Sequence, residues 1–340
     1  MNLSTLFEQL IARQNLTPLQ MEEVILACIN HELHDSQITA FLALMRMKGE
    51  TVDELTTAAK VLLHLARPID LGSDLIDMVG TGGDLKNTFN VSTISSIVAA
   101  STGVRIAKHG SYSVSSRSGS SNLLEQAGIK LRLNNIQLQH CLHKTNLCFL
   151  LGPHFHPALQ QVRAAREQLG IPSFFNLLGP LINPAHVTKQ IIGVFNAQLL
   201  MPIAQILFNL GSERAFVCRS RDGLDEFSIA AITDVVELNH GQYHTWSLNP
   251  KDYGFYHDNL DAILVNSPEE SLTLMHSVFA GEKGAARDMI LLNSAVAILL
   301  ADRANNLTSA LEQAIQTIDS GKALQHIELL KKITMSKVIK

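Results

Sequence analysis

Between Asp77 and Thr93 the chain reads DMVGTGGDLKNTFNVST. A short apolar run ends in Gly80, Gly82 and Gly83, then Asp84, before a Ser/Thr-rich stretch opens a helix. Glycines let backbone N–H groups approach anionic oxygens, and a helix N-terminus adds positive potential, so these letters suit an anion site. A tight strand–helix turn with no ligand fits them too. Neither G-x-G-x-x-G nor G-x-x-x-x-G-K-[ST] is present, so both common nucleotide fingerprints fail. A second stretch, AKHGSYSVSSRSGSSNLLE, sets Lys108, His109 and Arg117 among serines. Hydroxyls and fixed cations suit a polyphosphate, although a solvated linker shares that composition. In RDGLDEFSIA, Asp225 and Glu226 follow Gly223. Adjacent carboxylates can hold Mg²⁺, which keeps waters and substrate phosphates; a solvated acid pair is the plain alternative. Arg163 and Arg166 lie on a stretch stopping near Gly170, where an arginine can bind a carboxylate or rest on the surface. The NLLGPLINP beyond it reads as an apolar surface loop. His154 and His156 lack a third ligand at metal spacing and read as packing histidines.

Two textures position these residues. Residues 1–66 show helical periodicity. Thr17 precedes Pro18, Ser36 opens an apolar body that stops at Gly49, and Thr51 has Glu54 at capping-box spacing. RPIDLG reads as a linker. From Leu75 the apolar runs LIDMV, VRIAK, CFLLG, KQIIGVF and RAFVC alternate with helical stretches, which predicts a mostly parallel α/β sheet. DVVELNHGQYHTWSL reads as a hairpin turning at Asn239–Gly241. Residues 287–330 read as helical, punctuated at Asn293 and at SGKAL. The expected organisation is a small helical domain over 1–66, joined by a helical segment around 160–185, and an α/β domain over 70–340.

The 340 residues are 46% hydrophobic and 17% charged with net charge −4, which suits a globular chain and weighs against nucleic-acid binding by bulk electrostatics. Cys28, Cys141, Cys148 and Cys218 form no C-x-x-C pair and read as buried free thiols of a reducing compartment. The N-terminus does not read as a signal peptide, and no apolar run is long enough for a membrane span; the expectation is a cytoplasmic protein without nucleic-acid or membrane partners.

Taken in order, GTGGD…NTFNVST, KHG…SVSSRSGSSNLLE, R…LG…FNLLGPLINPA and GLDE-F-S closely resemble the anthranilate phosphoribosyltransferases over nearly the whole chain, with ITAFLALMRMKGET near the front and SGKAL near the back. The resemblance implies Mg²⁺-dependent phosphoribosyl transfer from phosphoribosyl pyrophosphate to anthranilate in tryptophan biosynthesis. It implies a nucleoside phosphorylase-like fold with a cleft between a helical and an α/β domain, and a homodimer through the helical domain. By the same match, Gly80, Gly83, Asp84, Thr88, Asn90, Val91, Ser92 and Thr93 cradle phosphoribosyl pyrophosphate. Lys108, His109, Gly110, Ser111, Tyr112, Ser113, Val114, Ser115, Ser116 and Ser120 form a flap over it. Ser92, Asp225 and Glu226 would hold Mg²⁺, and Gly80, Ser111 and Arg166 would face anthranilate. Lys108 would stabilise the leaving pyrophosphate; an aryl amine attacks as the neutral form, so no general base is named.

Three places depart from the family pattern. Ser111 stands for the usual Asn, Pro172-Ser173 for Arg-Thr, and Gly152 and His154 alter the loop before His156. All bear on the acceptor side. Two other readings compete: a pyrimidine nucleoside phosphorylase, which would carry a K-x-S-G-R-G loop and lack the GLDE pair, and a non-catalytic nucleic-acid-binding relative, which would want a basic groove and eroded carboxylates.

Overall fold

Four capped helices open the chain in the computed structural model, which describes residues 2–84, 86–112 and 118–336. Helix α1 (Leu3–Ile11) starts on Asn2, α2 (Pro18–Ile29) on Thr17 with Gln20 closing the box, and α4 (Val52–His64) on Thr51 with Glu54. Helix α3 (Asp35–Lys48) begins earlier than expected. His34 is its N-cap residue, with its N–H donated to the Gln37 side chain at 2.9 Å, so Ser36 lies inside the first turn. Gly49 ends α3 at φ +89°, where a Cβ would be strained. Glu54 also accepts from Leu16 N–H and Lys48 Nζ, both at 2.8 Å, so one buried carboxylate ties three segments together.

The apolar runs form a seven-stranded sheet in the order β3-β2-β1-β4-β5-β6-β7. Its strands are β1 (Ile76–Gly80), β2 (Ile106–Gly110), β3 (Leu147–Leu151), β4 (Lys189–Gly193), β5 (Arg214–Ser220), β6 (Thr233–Asn239) and β7 (Gln242–Leu248). Strands β1 to β5 run parallel, and β6 and β7 extend the same sheet antiparallel. The β6–β7 turn uses His240 at φ +46° and Gly241 at φ +84°, the twist a two-residue hairpin requires. Between the strands lie α5 (Val91–Ser101), α6 (Ser120–Gln126), α7 (Asn135–Thr145), α8 (Gly152–Phe155), α9 (Arg163–Leu169), α10 (Phe175–Leu178) and α11 (Leu200–Asn209). Helices α12 (Pro268–Phe279), α13 (Ala285–Leu300), α14 (Leu307–Asp319) and α15 (Lys322–Met335) close the chain. The architecture is a small N-terminal helical domain and a larger α/β domain with a mostly parallel sheet.

The helical layer is completed from far along the chain. Phe41, Leu42 and Met45 share one core with Val162, Ala165, Phe174 and Phe175, and the Phe174 ring meets Phe41 edge-on at 5.9 Å. Segment NLLGPLINP is not a surface loop. It folds as α10 and a 3₁₀ turn with Leu178, Leu181 and Ile182 buried. Buried side chains satisfy its backbone, which permits that burial. His109 Nδ1 meets Gly179 O at 3.2 Å, Gln190 Nε2 donates to Pro180 O at 3.2 Å, and His156 Nε2 meets Ile182 O at 2.8 Å. Asn183 Nδ2 donates to Asp77 Oδ2 and Ala107 O, both at 2.8 Å.

Asn293 does not punctuate the C-terminal helices. It lies buried in the middle of α13, where its amide has partners of its own. SGKAL does mark a boundary, with Ser320 ending α14 and Gly321 at φ +73° before α15. All four cysteines are buried and unpaired. Among the described residues no helix is long and apolar enough to cross a membrane.

Candidate active site

From β1 the chain winds outward to β2 and β3, then returns to place β4 on the other side of β1. Such a reversal opens a crevice at the C-terminal strand ends, where α/β sheets take ligands. Gly80 and Gly193 pair in register there. The segment after β5 lies across both. A Cβ on Gly80 would stand 2.3 Å from Asp225 Oδ2, and a Cβ on Gly193 only 1.5 Å from the Asp225 carbonyl oxygen. Gly82 and Gly83 take φ +64° and +86°, and Gly82 N–H donates to Asp225 Oδ2 at 2.9 Å. The glycine turn therefore does present N–H to an anion, here a carboxylate of its own chain.

The charges around the crevice are frustrated. Burial, then the nearby Asp84 carboxylate, pushes Asp225 up to about 7. Glu226 is raised well above the carboxylate range by burial and by Asp225 and Asp84. Its Oε1 accepts from Ser92 N–H at 3.2 Å, whereas its Oε2 is buried without a partner among the described residues. Lys108 lies beneath, with Nζ donating to Met78 O and, at 3.2 Å, to Ser92 Oγ. Burial pulls the Lys108 pKa down, against the pull of Asp77 and Glu226. Lys108 is 2% exposed, so its charge reaches the crevice through Ser92 and Glu226 and not as a protruding ammonium. Two hard, desolvated carboxylates, Asp225 and Glu226, with Asp84 near them, fit a divalent cation. Among the described residues no three His, Cys, Asp or Glu side chains form a ready-made cage. Mg²⁺ keeps waters and phosphate oxygens in its shell.

The remaining cradle residues gather at the α5 N-terminus. Thr88 bridges to Leu264, Val91 is buried, and the buried Thr93 hydroxyl has no partner among the described residues. The Asn90 side chain bonds Ser118 and Ser271: Nδ2 donates to Ser118 O at 3.0 Å, and Oδ1 accepts from both hydroxyls. It ties the end of the flap to α12. Gly110 lies against the Phe149 ring, 2.7 Å from where a Cβ would stand, with Ser120 beside it. Ser111 is exposed. Tyr112 turns away, its hydroxyl donating to Glu125 at 2.8 Å. Ser113, Val114, Ser115, Ser116 and Arg117 lie outside the described residues.

His109 belongs to a different neighbourhood from the cradle. Its Nδ1 faces a carbonyl acceptor and so carries the hydrogen, which leaves Nε2 an unprotonated acceptor, buried and unpartnered among the described residues. Burial, then the His156 ring, lowers its pKa to about 3. A Cβ on Gly152 would lie 3.5 Å from this nitrogen and 3.6 Å from Ser111 Cβ, so His109, Ser111 and Gly152 share one wall. His154 stands outside that wall, 3.3 Å from Arg67. Arg166 stacks over the Phe175 ring at 5.7 Å, and among the described residues its guanidinium makes no hydrogen bond or ion pair. Arg163 instead pairs with Glu167 on the exposed face.

Two family models cover most of the chain: the helical bundle domain of a glycosyl transferase family over residues 4–66, and the a/b domain of that family over residues 72–324. An anthranilate phosphoribosyltransferase from Legionella pneumophila (strain Lens) is 56% identical over 97% of this chain and 96% of its own length. The chain belongs to the anthranilate phosphoribosyltransferase family. Solved structures of two members superpose closely. The Thermus thermophilus enzyme has a TM-score of 0.89 at 32% identity, covering 97% of this chain and 99% of its own. The Saccharomyces cerevisiae enzyme, in complex with PRPP and Mg, has a TM-score of 0.89 at 28% identity, covering 98% of each chain.

Within that family the phosphorylase and nucleic-acid readings fall away. Three contributors escaped the sequence reading. Gly193 passed as a strand residue, although a glycine closing an apolar strand signals close backbone approach. Asp77, fully buried and pushed up to about 6 by burial, lies under the KHG stretch and accepts from His109 N–H at 3.2 Å. Asn293 left no usable signal, because its partner, Phe227, is 66 residues away.

Proposed function

We infer that this chain transfers the phosphoribosyl group of phosphoribosyl pyrophosphate to the amine of anthranilate, releasing pyrophosphate, in tryptophan biosynthesis. The observation that carries the reading is the crevice itself. A glycine turn, a helix N-terminus and two charge-frustrated carboxylates converge where the sheet reverses. The ribose C1–O bond to pyrophosphate breaks and its electrons leave with pyrophosphate, a C1–N bond forms from the amine lone pair, and the amine gives up one proton to solvent. Mg²⁺, held by Ser92, Asp225 and Glu226, supplies positive charge for the diphosphate. Gly80, Gly83, Asp84, Thr88 and the Asn90–Thr93 turn orient the phosphates and ribose. Lys108 fixes Ser92 and offsets the negative charge of Glu226. On the acceptor side, Arg166 pairs with the anthranilate carboxylate, while Ser111 and the free lone pair of His109 accept from the amine N–H. Catalysis then rests on positioning and on stabilising the leaving group.

The division near residues 66–70 and a homodimer through the helical layer belong to the same proposal. Ile11, Leu19 and Met47 are exposed on that layer. Buried free thiols support a reducing, cytoplasmic setting. The test is anthranilate fluorescence, which should disappear only when phosphoribosyl pyrophosphate and Mg²⁺ are both present. Replacing Asp225 and Glu226 together by Ala should remove that turnover with the circular dichroism unchanged. Persistent turnover in the double variant at limiting Mg²⁺ would refute the assignment of the pair.

A further inference from the structure

Asp225 and Glu226 lie on a strap, Leu224–Ser228, that is part of no helix or strand. Its placement therefore depends on contacts from elsewhere. Its ends are held by Ser220 N–H on Leu224 O at 2.9 Å and by Thr233 Oγ1, which accepts from Ser228 N–H at 3.2 Å. Gly193 and Gly82 lie on Asp225, and Ser92 N–H bonds Glu226. A further contact falls on Phe227, one residue beyond the pair. Asn293 Oδ1 accepts from Phe227 N–H at 3.1 Å, and Asn293 Nδ2 donates to Phe227 O at 2.9 Å. The second amide hydrogen goes to Met289 O at 2.9 Å, the carbonyl four residues back on α13. Only one orientation of the amide satisfies all three bonds. Bonding both backbone groups of one residue reproduces what a neighbouring antiparallel strand would do. Asn is also a poor choice for a helix interior, and its neighbours in LLNSAVAILL are nearly all apolar. Helix formation does not account for it.

We propose that Asn293 is a positioning residue for the acidic pair: by clamping both backbone groups of Phe227 it sets the direction in which Asp225 and Glu226 leave the strap, and so the affinity for a divalent cation. It touches neither substrate nor metal. The Phe227 ring, stacked on Trp246 with centroids 6.2 Å apart, anchors the side chain, and Asn293 anchors the backbone. The inference rests on reading the pair as the Mg²⁺ site.

The test uses the full chain and Mn²⁺ alone, with free Mn²⁺ followed by electron paramagnetic resonance. Asn293→Ala should raise the Mn²⁺ dissociation constant roughly 10-fold or more, as groups behind metal ligands do. The Mg²⁺ concentration for half-activation should rise with it, while the KM for anthranilate stays within about twofold, since the acceptor wall is untouched. Ser294→Ala is the control: this buried neighbour on α13 bonds Ser95 O at 3.4 Å and not Phe227. It should lower Tm and leave Mn²⁺ binding alone. Should Asn293→Ala fail to fold, Asn293→Ser retains one short polar group and should fall between. An Asn293 variant that binds Mn²⁺ like the parent overturns the inference and leaves the metal reading standing. Equal weakening by Ser294→Ala also overturns it, as general loosening of α13. A parent chain that binds no Mn²⁺ removes the metal reading and the inference with it.

Discussion

Replacing Gly193 by alanine tests the crevice at its tightest point. The added Cβ would stand 1.5 Å from the Asp225 carbonyl oxygen and 2.5 Å from its carbonyl carbon. Ordinary contact between such atoms needs about 3.5 Å, so β4 and the strap must part by roughly 2 Å. No rotamer relieves the clash, because the obstacle is backbone. A misplacement of about 1 Å can cost a hundredfold in rate, so kcat/KM should fall at least ~100-fold, or about 2.7 kcal/mol of transition-state stabilisation. Gly80→Ala is the paired measurement. There the nearest atom, at 2.3 Å, is a carboxylate oxygen that can swing aside. Gly80→Ala should therefore lose less stability than Gly193→Ala while still impairing turnover. Anthranilate fluorescence gives the rates, and thermal melts followed by circular dichroism separate a displaced strap from an unfolded chain. If Gly193→Ala keeps near-parental rate, or is milder than Gly80→Ala in both assays, the strap does not seat on β4 as described.

Three further outcomes are expected. Arg166→Ala should lower kcat/KM for anthranilate by one to two orders of magnitude, since a hydrogen bond to a charged group contributes roughly 1.5–3 kcal/mol; an equal rise in the KM for phosphoribosyl pyrophosphate would make Arg166 structural. Ser111→Asn should lower the anthranilate KM by a few-fold, about one neutral hydrogen bond; an unchanged or raised KM would mean the wall of His109, Ser111 and Gly152 is fitted to serine. His326 on α15 is held to about 4 by burial and Lys322, against 6.5 for an ordinary histidine. Below that ordinary value the unfolded chain takes up a proton that the folded chain refuses, so stability falls as pH drops from 6.5 towards 4. His326→Gln should remove about 2 kcal/mol of the loss between pH 6.5 and 5, read by denaturant titration at the two pH values; equal slopes would place the ring in solvent.

Local signals were legible in the sequence and distant ones were not. Thr17, Thr51 and Gly49 act within one helical turn, and the strand runs declare themselves by composition, so the alternation of elements was readable. Where a residue's partner lies far off, the letters mislead. Asn293 looks like a breaker because Asn is one in isolation; its reason for being in α13 is Phe227. NLLGPLINP looks like an exposed loop because of its Gly and Pro. What buries it is a set of side chains, His109, His156, Gln190 and Asn183, contributed from other elements and its own end. The letters of the glycine turn suit an anion site or a bare strand–helix turn, and nothing local says that Asp225 sits against it.

The late completion of the helical layer has a consequence during synthesis. Phe41 leaves the ribosome about 130 residues before Phe174, its edge-on partner. At about 5–20 residues per second that gap lasts roughly 7 to 25 s. Through it the first four helices present Phe41, Leu42 and Met45 with part of their cover missing. A nascent chain paused near residue 100 should therefore be bound by chaperones, and one released beyond residue 185 should not. An isolated fragment ending at residue 66 would carry the same uncovered surface permanently, and should aggregate where the whole chain does not.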